Sequence, residues 1–241
     1  MRHVADATPA ADTAVTKAWP RSYGSHGSSI EPGHGAACWS AVAVWFTSDL
    51  HLGHVNIIRY SCRPFADVDA MDRALIDGWN EVVAPGDDVW VLGDVAMGRI
   101  DSTLALAARL RGRKHLVCGN HDRCWSGHGD RAAEWVPRYQ AAGFDVRQGE
   151  LELRVAGRPV LACHFPYFGD SLAEDRYLGA RPRDRGQWLL HGHVHERWRQ
   201  RDRMINVGVD AWNYRPVSEE AVGRLMAAGP CDLAPLGPAQ S

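Results

Sequence analysis

Apolar and polar positions along the chain fall into short blocks that switch between strand-like and helix-like periods. Residues 41–46 (Ala-Val-Ala-Val-Trp-Phe) form an apolar run of the buried-strand type. A short helix is expected from His54 to Tyr60, then a turn at Arg63-Pro64-Phe65. Asp67 is placed to cap a helix from Val68 to about Val83, with Met71, Leu75, Ile76, Trp79 and Val83 on one face. Pro85-Gly86-Asp87 breaks it, and 88–92 (Asp-Val-Trp-Val-Leu) reads as the second strand. Asp101 is the expected cap of a helix running to Leu110, Arg111-Gly112-Arg113 ends that helix, and 114–118 is the third strand. Strand, helix, strand, helix, strand predicts a sheet with crossover helices.

The second half is richer in strands. A helix over 131–142 closes at Gly143. Strands follow at 144–148, 151–155 and 159–163, with Ala156-Gly157-Arg158 as a compact hairpin turn. Residues 165–187 form a Gly-, Pro-, Arg- and Asp-containing stretch too long for an ordinary connection, expected to be a substrate-facing loop. The last strands are 188–190 and 204–207, and Ser218-Glu219-Glu220 opens a terminal helix that ends by Gly229. Residues 1–40 lack periodicity and are expected to be a disordered extension. The abrupt onset of pattern near Ala41 leaves room for a true start downstream of Met1. The folded domain is expected over 41–228, with a flexible tail over 229–241.

Composition narrows the picture modestly. A chain of 241 residues accommodates one domain with a sizeable core. A formal net charge of −2 provides no global attraction to nucleic acid or anionic membrane. The six cysteines show no C-x-x-C spacing, which argues against a zinc ribbon and for reduced thiols in a cytoplasmic protein. No apolar stretch reaches membrane-span length. The run Ala36–Phe46 has the length of a signal core but starts too far into the chain, so no export signal is expected.

The candidate chemistry sits where strands stop. The first strand leads into Thr47-Ser48-Asp49-Leu50-His51-Leu52-Gly53-His54, the second into Gly93-Asp94, and the third into Gly119-Asn120-His121-Asp122. The strand before the long loop leads into His164-Phe165-Pro166, and the next into His191-Gly192-His193-Val194-His195. Each block alone has a bland reading: Gly-Asp is an ordinary turn, and a lone His before Phe-Pro is more often a satisfied core histidine. His-Gly-His-Val-His is stronger, because period-two spacing on an extended chain puts imidazoles on one side. The conjunction decides it. Asp oxygen and His nitrogen together suit Mn, Fe or Zn. Loops leaving one edge of a sheet can bring all these blocks around one crevice, and glycine before three of them permits close approaches.

In this order the blocks resemble the pattern of the calcineurin-like metallophosphoesterase superfamily: Asp-x-His, Gly-Asp, Gly-Asn-His-(Asp/Glu), His, Gly-His-x-His. The resemblance covers about 43–225 and is similar in detail to small bacterial phosphoesterases whose first block matches Ser48–Ile58. It implies an α/β fold, a four-layer αββα sandwich of two mixed β-sheets flanked by helices. It also implies two divalent metal ions (Mn, Fe, Zn or Ni, with Mn favoured). Asp49, His51 and His195 would hold one, Asn120, His164 and His193 the other, and Asp94 would bridge them. The implied reaction is phosphodiester or phosphomonoester hydrolysis by a metal-bridging hydroxide. His121 would be the proton donor to the leaving group, with Asp122 orienting it.

Departures from other branches sharpen the expectation. Met97 stands where purple acid phosphatases carry a tyrosine, and Val95-Ala96-Met97-Gly98 lacks the continuation found in Ser/Thr protein phosphatases. His54, Asn56 and His191 are candidate substrate or supporting residues beside the metals, and Asn206 and Asp210 are candidate braces of the last ligand loop. The ten tryptophans read as core more readily than as stacking platforms, and Arg181, Arg183 and Arg185 as a solvated loop more readily than a second phosphate site. The expected partner is a small phosphorylated or nucleotide-like substrate, with no obligatory nucleic acid and no membrane. A nuclease would require a basic, aromatic-lined track. A non-catalytic scaffold is disfavoured because every ligand position and His121 are filled.

Overall fold

The computed structural model describes residues 42–236. The expected extension over 1–40 lies outside the described residues, as do 237–241 at the end of the expected tail. Two five-stranded mixed sheets form the body of the fold. In the first, β1 (Val44–Thr47), β2 (Asp88–Val91), β3 (Arg113–Val117) and β4 (Phe144–Arg147) run parallel, and β10 (Val217–Ser218) pairs antiparallel with β1. In the second, β6 (Arg158–Ala162), β7 (Leu189–His191) and β9 (Met204–Asn206) are parallel, with β5 (Leu151–Val155) and β8 (Gln200–Arg201) antiparallel at the edges.

Alternation along the strands explains the layers. Phe46, Leu92 and Val117 of the first sheet meet Val160, Ala162, Leu190 and Ile205 of the second in one buried cluster, so the sheets pack face to face. Val89, Val91 and Leu116 point the other way and are covered by three helices: α2 (Val68–Val82), α3 (Ile100–Ala107) and α4 (Ala132–Ala141). The α2 face anticipated from spacing is buried as expected, with Met71, Leu75, Ile76, Trp79 and Val83 all at 2% exposure or less. On the outside of the second sheet, Leu161, Cys163, Leu189 and Met204 pack under Phe165, Tyr167, Tyr177 and Ala180 of the long loop. Helix α5 (Glu219–Ala228) lies beside the edge strands β10 and β5 and sends Val222 and Met226 into the inter-sheet core. None of the helices is long and apolar enough to cross a membrane, among the described residues.

Local signals hold at most boundaries. Asp67 accepts the Ala70 N–H at 2.7 Å and Ser218 accepts that of Ala221 at 3.2 Å, both as N-caps. Ala156 and Gly157, at φ 48° and 78°, make the two-residue hairpin loop between β5 and β6. Asp101 is different: it lies inside α3, whose N-cap is Arg99, and its carboxylate takes the Arg138 guanidinium at 3.2 Å. The described part of the expected tail is tied down, with Leu233 N–H donating to Gln200 C=O at 2.9 Å and Leu236 N–H to Ala211 C=O at 3.1 Å.

Candidate metal centre

Each expected donor enters at the C-terminal end of a strand. Asp49 and His51 follow β1, Asp94 follows β2, Asn120 follows β3, His164 follows β6, and His193 and His195 follow β7. The loops stay paired where the strands stop: Asp49 N–H donates to Gly93 C=O, His51 N–H to Asp94 C=O and Gly192 N–H to His164 C=O, each at 3.0 Å. Hydrogen bonds also cross from one sheet to the other. Nδ1 of His164 lies 2.8 Å from the Leu92 carbonyl oxygen, and the Asp49 carboxylate accepts the His193 N–H at 3.0 Å.

The backbone is strained here. Asp49 (φ 57°), His51 (51°), Asp94 (58°), His193 (72°) and His195 (50°) are all left-handed. Such conformations cost about 1–3 kcal/mol each and persist where the surroundings over-determine them. Two glycines permit the crowding. A Cβ on Gly192 would press on the Asp49 carboxylate at 2.5 Å, and one on Gly119 would meet the His164 ring at 2.8 Å.

Among the described residues, two groups of side chains can hold metal ions: Asp49, His51 and His195 form one, and Asp49, Asp94 and His164 the other, each with donor atoms within 4.8 Å of one another. Asp94 Oδ2 lies 3.6 Å from Nε2 of His51 and 3.5 Å from Nε2 of His164, so it reaches both groups. The Asn120 amide oxygen is 3.1 Å from His164 Nε2. His193 belongs to neither group but lies alongside, its ring 5.2 Å from that of His164.

Carboxylates and a guanidinium hold the imidazoles in place, and the sequence pattern did not reveal most of them. Asp210 Oδ2 lies 3.1 Å from Nδ1 of His195, while the same carboxylate grips Arg63 through two bonds at 2.8 and 2.9 Å. Arg63 also donates to the Leu50 and Asp49 carbonyls at 3.0 and 2.7 Å. Asp170, in the long loop, lies 2.9 Å from Nε2 of His193. These partners fix the tautomers, leaving Nε2 of His195 and Nδ1 of His193 free. Asn206 donates to the His195 and Trp198 carbonyls at 2.8 Å each, bracing the last ligand loop.

Asp122 has a different role from the one expected. Its carboxylate accepts the N–H groups of Asp94, Gly119 and Val95 at 2.7, 2.9 and 3.0 Å, so it ties two ligand loops together and does not orient His121. Burial and then Asp94 push it up to about 7 against those three donors. His121 itself stands exposed beside the cluster, with its ring 5.3 Å from that of His51 and its backbone N–H donating to Asp94 Oδ1 at 2.9 Å. Desolvation by the cleft walls, then the charges of His164 and His54, lower its pKa to about 4.

The remaining candidates separate. The His54 ring is 5.3 Å from that of His51, with the two Nδ1 atoms 3.4 Å apart, and it gives no side-chain cap to α1 (Val55–Tyr60). Asn56 is exposed and its side chain forms no hydrogen bond among the described residues. His191 is fully buried, with Nδ1 at 2.7 Å from the Gly192 carbonyl oxygen and its ring 6.1 Å from Trp198. It supports the β7 end without bonding to either neighbouring histidine.

The donor set fits divalent cations. Asp49 and Asp94 are 0% and 1% exposed, and among the described residues no lysine or arginine side chain bonds either carboxylate. Burial, then the Asp49 charge, pushes Asp94 well above the usual carboxylate range. Burial lowers His51 and His164 and brings His193 to about 2, so these imidazoles are neutral and free to act as ligands. His51 Nε2 is buried with no hydrogen-bond partner. Shielded carboxylates facing neutral imidazoles with an orphaned nitrogen can hold a cation, and a mixed N/O set suits a borderline one. His195 is the exception: burial would lower it, but Asp210 and Asp49 outweigh burial and raise it to about 9.

No protein-family model matches the chain. It is 41% identical over 182 residues to the Gene 66 protein of Mycobacterium phage D29, a match covering 70% of this chain and 89% of that one. The Gene 66 protein of Mycobacterium phage L5 is 39% identical over 194 residues, covering 74% and 91% of the respective chains. Among solved structures, a protein of unknown function from Aquifex aeolicus shares the fold, with a TM-score of 0.57 and 24% identity over 77% of this chain and 100% of that one. At this identity and coverage, the chain belongs to the family of the mycobacteriophage Gene 66 proteins.

Proposed function

We propose that the chain is a metal-dependent phosphohydrolase of the calcineurin-like metallophosphoesterase type, cleaving phosphodiester or phosphomonoester bonds. The observation that carries this reading is the pair of donor groups that share Asp49, with Asp94 reaching both. Asp49, His51 and His195 would hold one ion, Asn120, His164 and His193 the other, and Asp94 would serve both, with Mn the favoured metal. When bound, such a pair polarises phosphoryl oxygens and lowers the pKa of coordinated water toward 7.

The chain's own residues supply the rest. Asp210 and Asp170 hold His195 and His193 in the tautomers a metal requires, and Asp122 fixes the spacing between the Asp94 and Asn120 loops. His121 is the group at the cleft mouth able to deliver a proton to a departing alkoxide. With its pKa near 4 it is neutral in the free protein, so donation depends on a bound phosphate anion raising it.

Hydrolysis of bis(p-nitrophenyl) phosphate by protein loaded with Mn(II) tests the proposal. Turnover that disappears on chelation and returns with metal is expected. Folded, metal-loaded protein inert toward phosphodiesters and phosphomonoesters with Mn, Fe, Zn and Ni would remove it.

A further inference from the structure

The long loop carries an arginine fixed along one edge and open along the other. Asp170, besides facing His193 Nε2 at 2.9 Å, accepts from Arg176 through Nη2 at 2.6 Å and Nε at 3.2 Å. Nη2 also reaches Ser171 Oγ at 3.2 Å, while the N–H groups of Nη1 meet no acceptor among the described residues. The Arg176 side chain is 37% exposed, against 0% for Arg63 and 4% for Arg181, the arginines held by Asp210 and Asp170.

The guanidinium is tied closely to the donor cluster. One carboxylate separates it from the His193 imidazole. Its central carbon lies 5.5 Å from the centre of the Tyr177 ring, which is itself 5.7 Å from that of His193. Tyr177 is left-handed at φ 55°, a conformation that persists where the surroundings over-determine it. Burial is the main influence on Asp94 and His121, raising one and lowering the other, and the Arg176 charge acts on both in the lowering direction.

Support of Asp170 does not account for the open edge. The backbone N–H groups of Arg176 and Leu172 donate to that carboxylate at 3.0 and 3.2 Å, and Arg181 lies 3.3 Å from it. Arg181 is used up in the loop, donating to the Arg176, Pro166 and Gly169 carbonyls. Arg63 is likewise enclosed by Asp210 and the Asp49 and Leu50 carbonyls. Arg176 alone of the three keeps donors for an incoming group. A guanidinium edge matches the oxygens of a phosphoryl group, and its charge stays fixed at every working pH.

We propose that Arg176 is a further catalytic residue, its Nη1 edge donating to a non-bridging phosphoryl oxygen of the group held at the donor cluster. The proposal rests on the phosphohydrolase reading above and deepens it. No proton moves in this contact: the guanidinium stabilises negative charge that grows on the phosphoryl oxygens as the ester bond breaks. Asp170 then has two tasks, setting the His193 tautomer with one oxygen and aiming Arg176 with the other.

The test reads phosphate binding, metal binding and turnover separately. Calorimetric titration of Mn-loaded protein with inorganic phosphate should show affinity about 10–100-fold weaker in Arg176→Ala, the usual loss for one charge-assisted contact. Arg176→Lys, which keeps the charge without the fork, should recover part of that loss. Mn(II) uptake by Arg176→Ala should stay within about threefold of the parent, because Arg181 and the backbone donors retain Asp170. On bis(p-nitrophenyl) phosphate, kcat should fall by about 10²-fold and KM by much less. Unchanged phosphate affinity, or metal uptake that weakens as much as phosphate binding, overturns the proposal and leaves Arg176 a support of Asp170. Parent protein that takes up Mn(II) but no phosphate overturns it as well. Phosphate binding that depends on Arg176 in a protein cleaving no ester keeps the contact, and the hydrolase reading alone falls. Ester cleavage indifferent to Arg176→Ala keeps the hydrolase reading, and the proposal falls.

Discussion

Oδ2 of Asp170 stands 2.9 Å from Nε2 of His193. The same carboxylate takes Arg176 at 2.6 Å and Arg181 at 3.3 Å, and these bonds hold it well below the usual carboxylate range although burial works against them. A loop residue is thereby made into a fixed anion that sets the tautomer of a metal-ligand candidate. Asp170→Ala should weaken uptake of one of the two ions by about 10–100-fold and leave the other nearly unchanged. Competition with a fluorescent chelator measures this, and two unaltered affinities would refute the role given to Asp170.

The Arg63–Asp210 pair is buried, with side chains 0% and 1% exposed, and joins residues 147 positions apart. Arg63→Met leaves Asp210 facing His195 without its second partner. A loss of about 3–5 kcal/mol in urea unfolding is expected, the usual cost of breaking a buried ion pair from one side. A loss below about 1 kcal/mol would mean that the pair is not what clamps the β1 loop to the β9 loop.

Metal uptake should release protons. His195 is raised to about 9, chiefly because Asp210 and Asp49 outweigh burial, and Asp94 is raised by burial and Asp49. His195 therefore carries a proton at pH 7 in the metal-free protein, and a cation must displace it to bind; the upward shift of Asp94 works in the same direction. Affinity for Mn(II) should climb with pH up to about 9, where His195 loses its proton unaided. Calorimetry in buffers of different ionisation enthalpy would show the release, and a flat affinity with no buffer dependence would contradict it.

His121→Ala should keep its metal ions, because the side chain belongs to neither donor group. Turnover of alkyl phosphate esters should fall by about 10²-fold or more, while nitrophenyl esters, which need no proton on departure, change only a few-fold. Equal losses on both would argue that the residue positions substrate and transfers no proton.

Much of this was legible in the chain because parallel strands end in the same direction as the ligands begin. Asp49, Asp94, Asn120, His164 and His193 each follow the end of a strand by two or three residues, and that regularity survives folding. The supports were not legible. Arg63 meets Asp210 across 147 residues and Asp170 meets His193 across 23, and no periodicity links such positions. The role of Asp122 is hidden for a related reason: adjacency to His121 in sequence says nothing about which way a carboxylate turns, and backbone N–H groups on two neighbouring loops capture it. Strands β8 and β10 are two residues each, too short to show alternation.

Anomalous scattering from crystals soaked in Mn(II) addresses the central claim most directly. The account predicts two peaks per chain, one among Asp49, His51 and His195 and one beside Asp94, Asn120 and His164, with both absent after chelation. Folded protein showing no peak at these side chains, or ions bound only elsewhere, would contradict it.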